Sequence, residues 1–261
     1  MAEFFAEKRV VVRPDREHVA RSVASRFLSR LAKRTHDGRL AHVSLTGGVM
    51  GAEVLRELGG HRKRDSVDWS LVHFWWSDER FVPRDSAERN EKTAHAELFD
   101  HIDIPAENIH PIPASDAGID LDAAAEAYAR ELARFADDEA GNAWPTFQIS
   151  LLGVGADGHI ASLFPDRPEI QITDRAVVGV RDSPKPPPER VTLTRPVINS
   201  ASRVWMVLAG ADKAAALGLA LAGASYDSVP AAGAKGRKRT ILFVDEAAAA
   251  QVPPELIDGE Y

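Results

Sequence analysis

The chemistry-bearing residues of this chain are densest in Leu151-Leu152-Gly153-Val154-Gly155-Ala156-Asp157-Gly158-His159-Ile160-Ala161-Ser162-Leu163-Phe164-Pro165. Its three glycines, Gly153, Gly155 and Gly158, bend the chain after a strand-like apolar run and deliver one carboxylate, Asp157, and one imidazole, His159, at the strand's mouth. Histidine, with an ordinary pKa of about 6.5, is the side chain suited to general acid–base work near neutrality. The glycine loop, the neighbouring Asp157 and the strand-end position favour a functional His159 over a structural one. Metal ligation is the weaker reading. His159 has no partner in an HxxxH pattern, and His95, His101 and His110 lack metal-site spacing.

Three more segments carry groups that fit such a base. In Ser44-Leu45-Thr46-Gly47-Gly48-Val49-Met50-Gly51 a strand runs through glycines into a helix. Glycines admit close backbone approach, and free N–H groups at a helix start suit an anion such as phosphate. No Gly-Lys-Ser/Thr follows and the dinucleotide spacing is absent, so a nucleotide cofactor is disfavoured. Trp75-Trp76-Ser77-Asp78-Glu79-Arg80-Phe81-Val82-Pro83 ends an apolar strand in ionisable residues, offering Asp78 as an acid and Arg80 as an anion clamp; a structural Asp–Arg pair is the competing account. Asn90, just downstream, reads only as a helix start. Arg190 opens a strand after the proline-rich loop Ser183–Pro188, which must be extended and stiff. Lys213 is expected in the first turn of a helix, where a cation opposes the macrodipole unless an anion sits beside it. Together Arg190 and Lys213 would clamp a phosphate, the guanidinium bidentate and the ammonium as a point charge.

The elements that must position these groups follow from the hydrophobic period. Strand-like runs lie at 9–12, 42–45, 70–76, 147–152, 175–180, 191–194, 204–209 and 240–244. Helical patterns lie between them at 15–35, 51–58, 121–137 and 212–222. Alternating strands and helices, with several near-continuously apolar strands, imply an α/β, Rossmann-like fold: a mainly parallel β-sheet with helices on both faces and ligand loops at the carboxyl ends of the strands. No repeat or linker divides the 261 residues, so one domain over 1–261 is expected. His73, beside Trp75 on a strand, could be core or site.

Composition bounds the partners. The formal charge of −7 argues against nucleic acid and leaves room for a local basic pocket. The basic run Ala234–Arg239 reads as a solvated loop, and the acidic tail Pro253–Tyr261 as loosely ordered. Zero cysteines excludes disulfides, thiolate zinc, iron–sulfur clusters and thiol nucleophiles, and fits a cytoplasmic protein. The start MAEFFAEKRVVVRPD has no signal-peptide apolar region, and nowhere do 18 apolar residues run together, so no membrane association is expected. A monomer or a small homo-oligomer is equally compatible.

In this order, Thr46-Gly47-Gly48, WWSDERFVP, LLGVGADGHIASLFPD and PPPERVTLTRPVIN followed by Lys213 resemble the 6-phosphogluconolactonase family, which is similar in fold to glucosamine-6-phosphate deaminase. The resemblance implies hydrolysis of 6-phosphoglucono-δ-lactone, a step of the oxidative pentose phosphate pathway, with no nucleotide or redox cofactor. It implies phosphate binding by Gly47, Gly48, Arg190 and Lys213, with Thr46 at the same turn, and proton handling by His159. Asp78 or Asp157 would orient the imidazole or the sugar hydroxyls, and Arg80 would contact the carbonyl or the substrate. The family's phosphate loop often carries later hydroxyls that Val49-Met50-Gly51 lacks, which leaves the backbone N–H groups to bind. Two rivals are a glucosamine-6-phosphate deaminase and a sugar-phosphate-sensing module. The deaminase tract places a glutamate five residues after its histidine, where this chain has Phe164; a sensor would ordinarily carry a DNA-binding head, and no helix-turn-helix segment is evident.

Overall fold

A computed structural model describes residues 8–257; the N-terminal residues 1–7, on which the signal-peptide reading falls, and residues 258–261 of the acidic tail lie outside it. The strands are β1 (Lys8–Arg13), β2 (Ala41–Leu45), β3 (Val72–Trp76), β4 (Asp78–Arg80), β5 (Phe147–Gly153), β6 (Val177–Val180), β7 (Arg190–Leu193), β8 (Arg203–Leu208) and β9 (Arg239–Asp245). Six of them form one sheet in the order β1-β9-β8-β5-β2-β3, parallel throughout. After β3 the chain returns to the other side of β2 and continues through β5, β8 and β9. The direction of winding therefore reverses between β2 and β5, where an open parallel sheet leaves a crevice beyond its carboxyl ends.

The main helices are α1 (Arg16–His36), α2 (Gly48–Gly60), α3 (Asn90–Glu97), α4 (Leu121–Ala133), α5 (Arg195–Ser200) and α6 (Ala214–Leu221). Asp15 caps α1, accepting the His18 N–H at 2.9 Å, and Val19, Val23, Phe27 and Leu31 form its buried stripe. α1 packs against α2 and β9. Asp120 caps α4 through the Ala123 N–H at 2.8 Å; further along the helix, the buried Tyr128 hydroxyl is bonded to the Trp76 backbone N–H (2.8 Å) and C=O (3.2 Å), fixing the end of β3. Trp75, Trp76, Trp205, Phe27, Phe147 and Phe243 fill the core. No helix among the described residues is long and apolar enough to cross a membrane.

The α/β reading agrees with the structure, with three differences in detail. The expected strands near 175–180 and 191–194 are β6 and β7, but they lie outside the main sheet: β7 pairs antiparallel with both β6 and β4 in a separate three-stranded sheet, β4-β7-β6. The expected strand from Ser70 begins at Val72, because Asp68 accepts the Ser70 N–H and turns the preceding residues into a 3-10 helix. The 121–137 helix ends at Ala133, leaving Phe135 in the following turn, still packed against the core. The basic run 234–239 lies at the amino end of β9, with Lys235, Arg237 and Lys238 exposed.

Candidate active site

Four adjacent strands, β8, β5, β2 and β3, deliver their carboxyl ends to a single cleft of about 400 Å³. Thr46, Gly47, Gly48, Asp78, Arg80, His159, Arg190 and Lys213 all line it, and Asp157 stands directly behind His159. The sequence-derived site residues therefore meet in one place. Arg16, Arg80, Lys185, Arg190 and Lys213 bring five cations to the lining against two carboxylates, Asp78 and Asp212. Within a chain of net charge −7 this is the local basic pocket that an anionic ligand requires.

The floor of the cleft is the β2–α2 turn. Gly48 has a φ of +76°, a left-handed conformation that glycine adopts without a Cβ penalty, and a Cβ on Gly47 would collide with the Asn90 carboxamide. Gly47 caps α2 with no side-chain bond, and no acidic residue occupies the first turn, so the N–H groups of that turn are left for a ligand. Thr46 Oγ1 accepts the Gly153 N–H at 3.0 Å and ties the turn to the end of β5.

The β5 loop then carries the imidazole. Gly155 packs so closely on the His159 ring and the Asp157 carboxylate that a Cβ there would overlap both. His159, with 17% of its side chain exposed, places Nδ1 2.6 Å from Asp157 Oδ1, and its ring lies 4.7 Å from that of the buried Phe164. An ionised carboxylate has only acceptors, so this contact requires the proton on Nδ1 and leaves the Nε2 lone pair free. Burial alone would raise the Asp157 carboxyl; the hydrogen bond from His159 and the charges of His159 and Lys185 outweigh it and hold it well below the usual range. Of the two acids that could orient the imidazole, Asp157 is the one in contact. Asp78 instead accepts the Ser162 hydroxyl at 2.7 Å and pairs with Arg190 at 3.9 Å, both in the interior.

The cations are held from behind. Arg190 is buried, and its guanidinium donates to the carbonyls of Pro187 (3.2 Å), Lys185 (3.2 Å) and Pro186 (2.8 Å), so the stiff proline loop sets its direction. Burial lowers its pKa, partly offset by Asp78. Arg80 donates to Asn90 Oδ1 (2.6 Å) and the Glu88 carbonyl (2.7 Å), while its buried Nε has no partner among the described residues. Beneath it Glu79 accepts the N–H groups of Arg80, Asn90 and Glu91 at 2.8–2.9 Å, and burial pushes its carboxyl up to about 7 against the opposing pull of Arg89. Lys213 differs from expectation. It closes a 3-10 turn, Ala211–Lys213, ahead of α6, and its anion is Asp212 at 3.0 Å, which removes the conflict with the helix dipole.

Four polar lining residues escaped the sequence reading, among them Asp212, the partner of Lys213. Asn90 is the first residue of α3, but its side chain bridges Arg80 and the Asp78 carbonyl. Arg16 starts α1 and pairs with Glu53 at 3.0 Å. Lys185, inside the proline run, reaches the Asp157–His159 pair. Only the last had a local signal, a lysine between prolines two residues after a serine, and that signal is weak. His73 belongs to the core instead, bonded to His110 at 2.9 Å. Among the described residues no three His, Asp or Glu side chains are grouped so as to hold a metal ion.

The sequence matches the family described as glucosamine-6-phosphate isomerases/6-phosphogluconolactonase over residues 14–243. It is 45% identical to the 6-phosphogluconolactonase of Streptomyces coelicolor over 249 residues, 95% of each chain, and 44% identical to that of Mycobacterium leprae over 253 residues, 96% of this chain and 98% of the relative. The crystal structure of 6-phosphogluconolactonase from Thermotoga maritima superposes with a TM-score of 0.78 at 27% identity, covering 92% of this chain and all of that one. The chain belongs to the glucosamine-6-phosphate isomerase/6-phosphogluconolactonase family.

Proposed function

We propose that the chain hydrolyses 6-phosphoglucono-δ-lactone to 6-phosphogluconate. The observation that carries this reading is the Asp157–His159 contact at the mouth of a cation-lined cleft floored by an uncapped helix start. A δ-lactone is an activated ester. Its hydrolysis needs a positioned water, a base and stabilisation of the developing oxyanion, without a covalent nucleophile. His159 Nε2 takes a proton from water as its oxygen adds to C1, and returns it to the ring oxygen as the C1–O bond breaks. Asp157 holds the tautomer and supports the transient imidazolium. Arg80 contacts the carbonyl oxygen. The phosphate rests on the first turn of α2 at Gly47 and Gly48, beside Thr46, with Arg190 and Lys213 as its cations. That remote binding energy fixes the lactone against the water.

The family also includes glucosamine-6-phosphate isomerases, and a glucosamine-6-phosphate deaminase shares the fold. Phe164, five residues after His159, is buried against the imidazole in this chain and offers no carboxylate for opening a sugar ring. This supports the lactonase over the deaminase.

The test generates 6-phosphogluconolactone in situ and follows 6-phosphogluconate through its dehydrogenase, with unphosphorylated gluconolactone in parallel. Turnover far above the spontaneous rate for the phosphorylated lactone alone is the expected result. Absence of acceleration, with ammonia released from glucosamine 6-phosphate, would overturn the reading.

A further inference from the structure

A carboxylate beside Nδ1 supports the imidazolium that forms during turnover but, unopposed, also favours protonation of the resting ring. An anion 2.6 Å from Nδ1 stabilises the imidazolium and so favours the form that has already taken its proton. Lys185 supplies the opposite charge. Its ammonium lies 3.2 Å from His159 Nδ1 and 3.4 Å from Asp157 Oδ1, the oxygen that receives the imidazole proton. Because Nδ1 carries that proton, the ammonium cannot donate to it; the 3.2 Å approach is a charge held against the ring. The loop keeps it there. The Lys185 N–H faces Ser183 Oγ at 3.3 Å, Ser183 N–H donates to the Pro188 carbonyl at 2.9 Å, and the Lys185 and Pro186 carbonyls are bound by Arg190.

We propose that Lys185 is the positioning residue of the Asp157–His159 pair: its ammonium orients the carboxylate and sets a positive charge beside the imidazole that opposes the carboxylate's pull on the ring proton. The inference rests on His159 acting as the base. The other charged groups around this cleft are Arg16, Asp78, Arg80, Arg190, Asp212 and Lys213, and none of them has a hydrogen bond or ion pair to the His159 ring. Asp212 also feels Lys185 from the far side of the cleft.

The experiment measures the NMR titration of the His159 ring in the free, full-length protein, with its resonance assigned by its loss in His159→Gln. In Lys185→Met the midpoint should rise by about one pH unit, the scale of one removed charge a few ångströms away at a half-exposed site, and Lys185→Arg should restore most of it. The acid limb of kcat should move with it. A midpoint unmoved in Lys185→Met would overturn the inference, as would a raised KM with an unchanged pH profile, which would make Lys185 a substrate contact. The side chain is 42% exposed, and Lys185→Gln, with its titration read alongside, guards against a folding defect in the Met variant. His159→Gln separates the two levels. Full lactone turnover in that variant would remove the base role, while the wild-type and Lys185→Met titrations would still report whether Lys185 acts on the ring.

Discussion

At the amino ends of β2 and β3, His42 and His73 stand opposite each other and stack with their ring centroids 4.9 Å apart; His110 extends the stack onto Trp75, 3.9 Å away and 7° from coplanar. At the carboxyl end of β5, the His159 ring instead lies between a carboxylate, an ammonium and open cleft. In the first region the rings use each other as partners: His73 Nδ1 meets His110 Nε2 at 2.9 Å, and His42 Nδ1 accepts the Trp75 indole N–H at 3.2 Å. Burial, and in His42 and His110 the presence of neighbouring histidines, drives the pKa of His42 to about 3 and that of His110 to about 4, and burial lowers that of His73. The aromatic stack removes water and so discourages charge, whereas the glycine loop keeps one ring edge wet and gives the other a carboxylate. The same side chain is thus packed among rings at one end of a parallel sheet and set between opposite charges at the edge of a cleft at the other.

The largest effect should come from removing the wet histidine. His159→Ala should lower kcat roughly a hundred- to ten-thousandfold, the usual range for a general base, with little change in KM. His110→Gln should leave kcat per folded molecule unchanged while lowering the melting temperature, because it strips the Trp75 stack and the 3.0 Å contact with Glu131. Steady-state kinetics beside thermal melts checks both; a large rise in KM with kcat intact in His159→Ala would make the imidazole a binding group.

Acid should act in the opposite sense. His110 has a folded pKa of about 4, below its ordinary value of 6.5, so the native state binds fewer protons than the unfolded chain in that window. Stability is fully present above the unfolded pKa and is lost as pH falls towards 4, by at most about 3 kcal/mol from this residue. Urea denaturation from pH 7 to 4.5 should show the decline, and a flat profile would mean that the stack already admits water.

The contrast between these regions was partly legible in the sequence. The glycine spacing around Asp157 and His159, the β2–α2 turn and the alternation of strands and helices are local patterns, and the parallel sheet follows from them. The contacts that assign roles are not local. Asp78 meets Ser162 from 84 residues away, Lys185 meets His159 from 26 residues away, and Asn90 meets Arg80 across the turn from β4 to α3. β4 itself is three charged residues, Asp-Glu-Arg, with no apolar alternation to mark a strand. His73 could be core or site by sequence because its neighbours, His42 and His110, come from 31 residues before it and 37 residues after it.

The smallest effect sharpens the comparison most. His42→Gln keeps an acceptor near the Trp75 indole N–H but cannot take a charge, so near pH 7 its cost should be about 1 kcal/mol, the net worth of one altered hydrogen bond. Its signature is in the slope. Each histidine held neutral in the native state costs up to about 1.4 kcal/mol of stability for every pH unit by which pH falls below 6.5, the native form binding one proton fewer. Glu79 works against this. Its carboxyl is raised to about 7, so the native state holds the extra proton and that contribution falls as pH rises from about 4.5. Glu79 is present in both proteins and cancels when the variant is subtracted from the wild type. The difference curve therefore isolates His42, and the acid limb of His42→Gln should be shallower by close to one proton. An unchanged slope would mean that His42 is already charged in the fold, and that the amino-end stack tolerates an ionised ring.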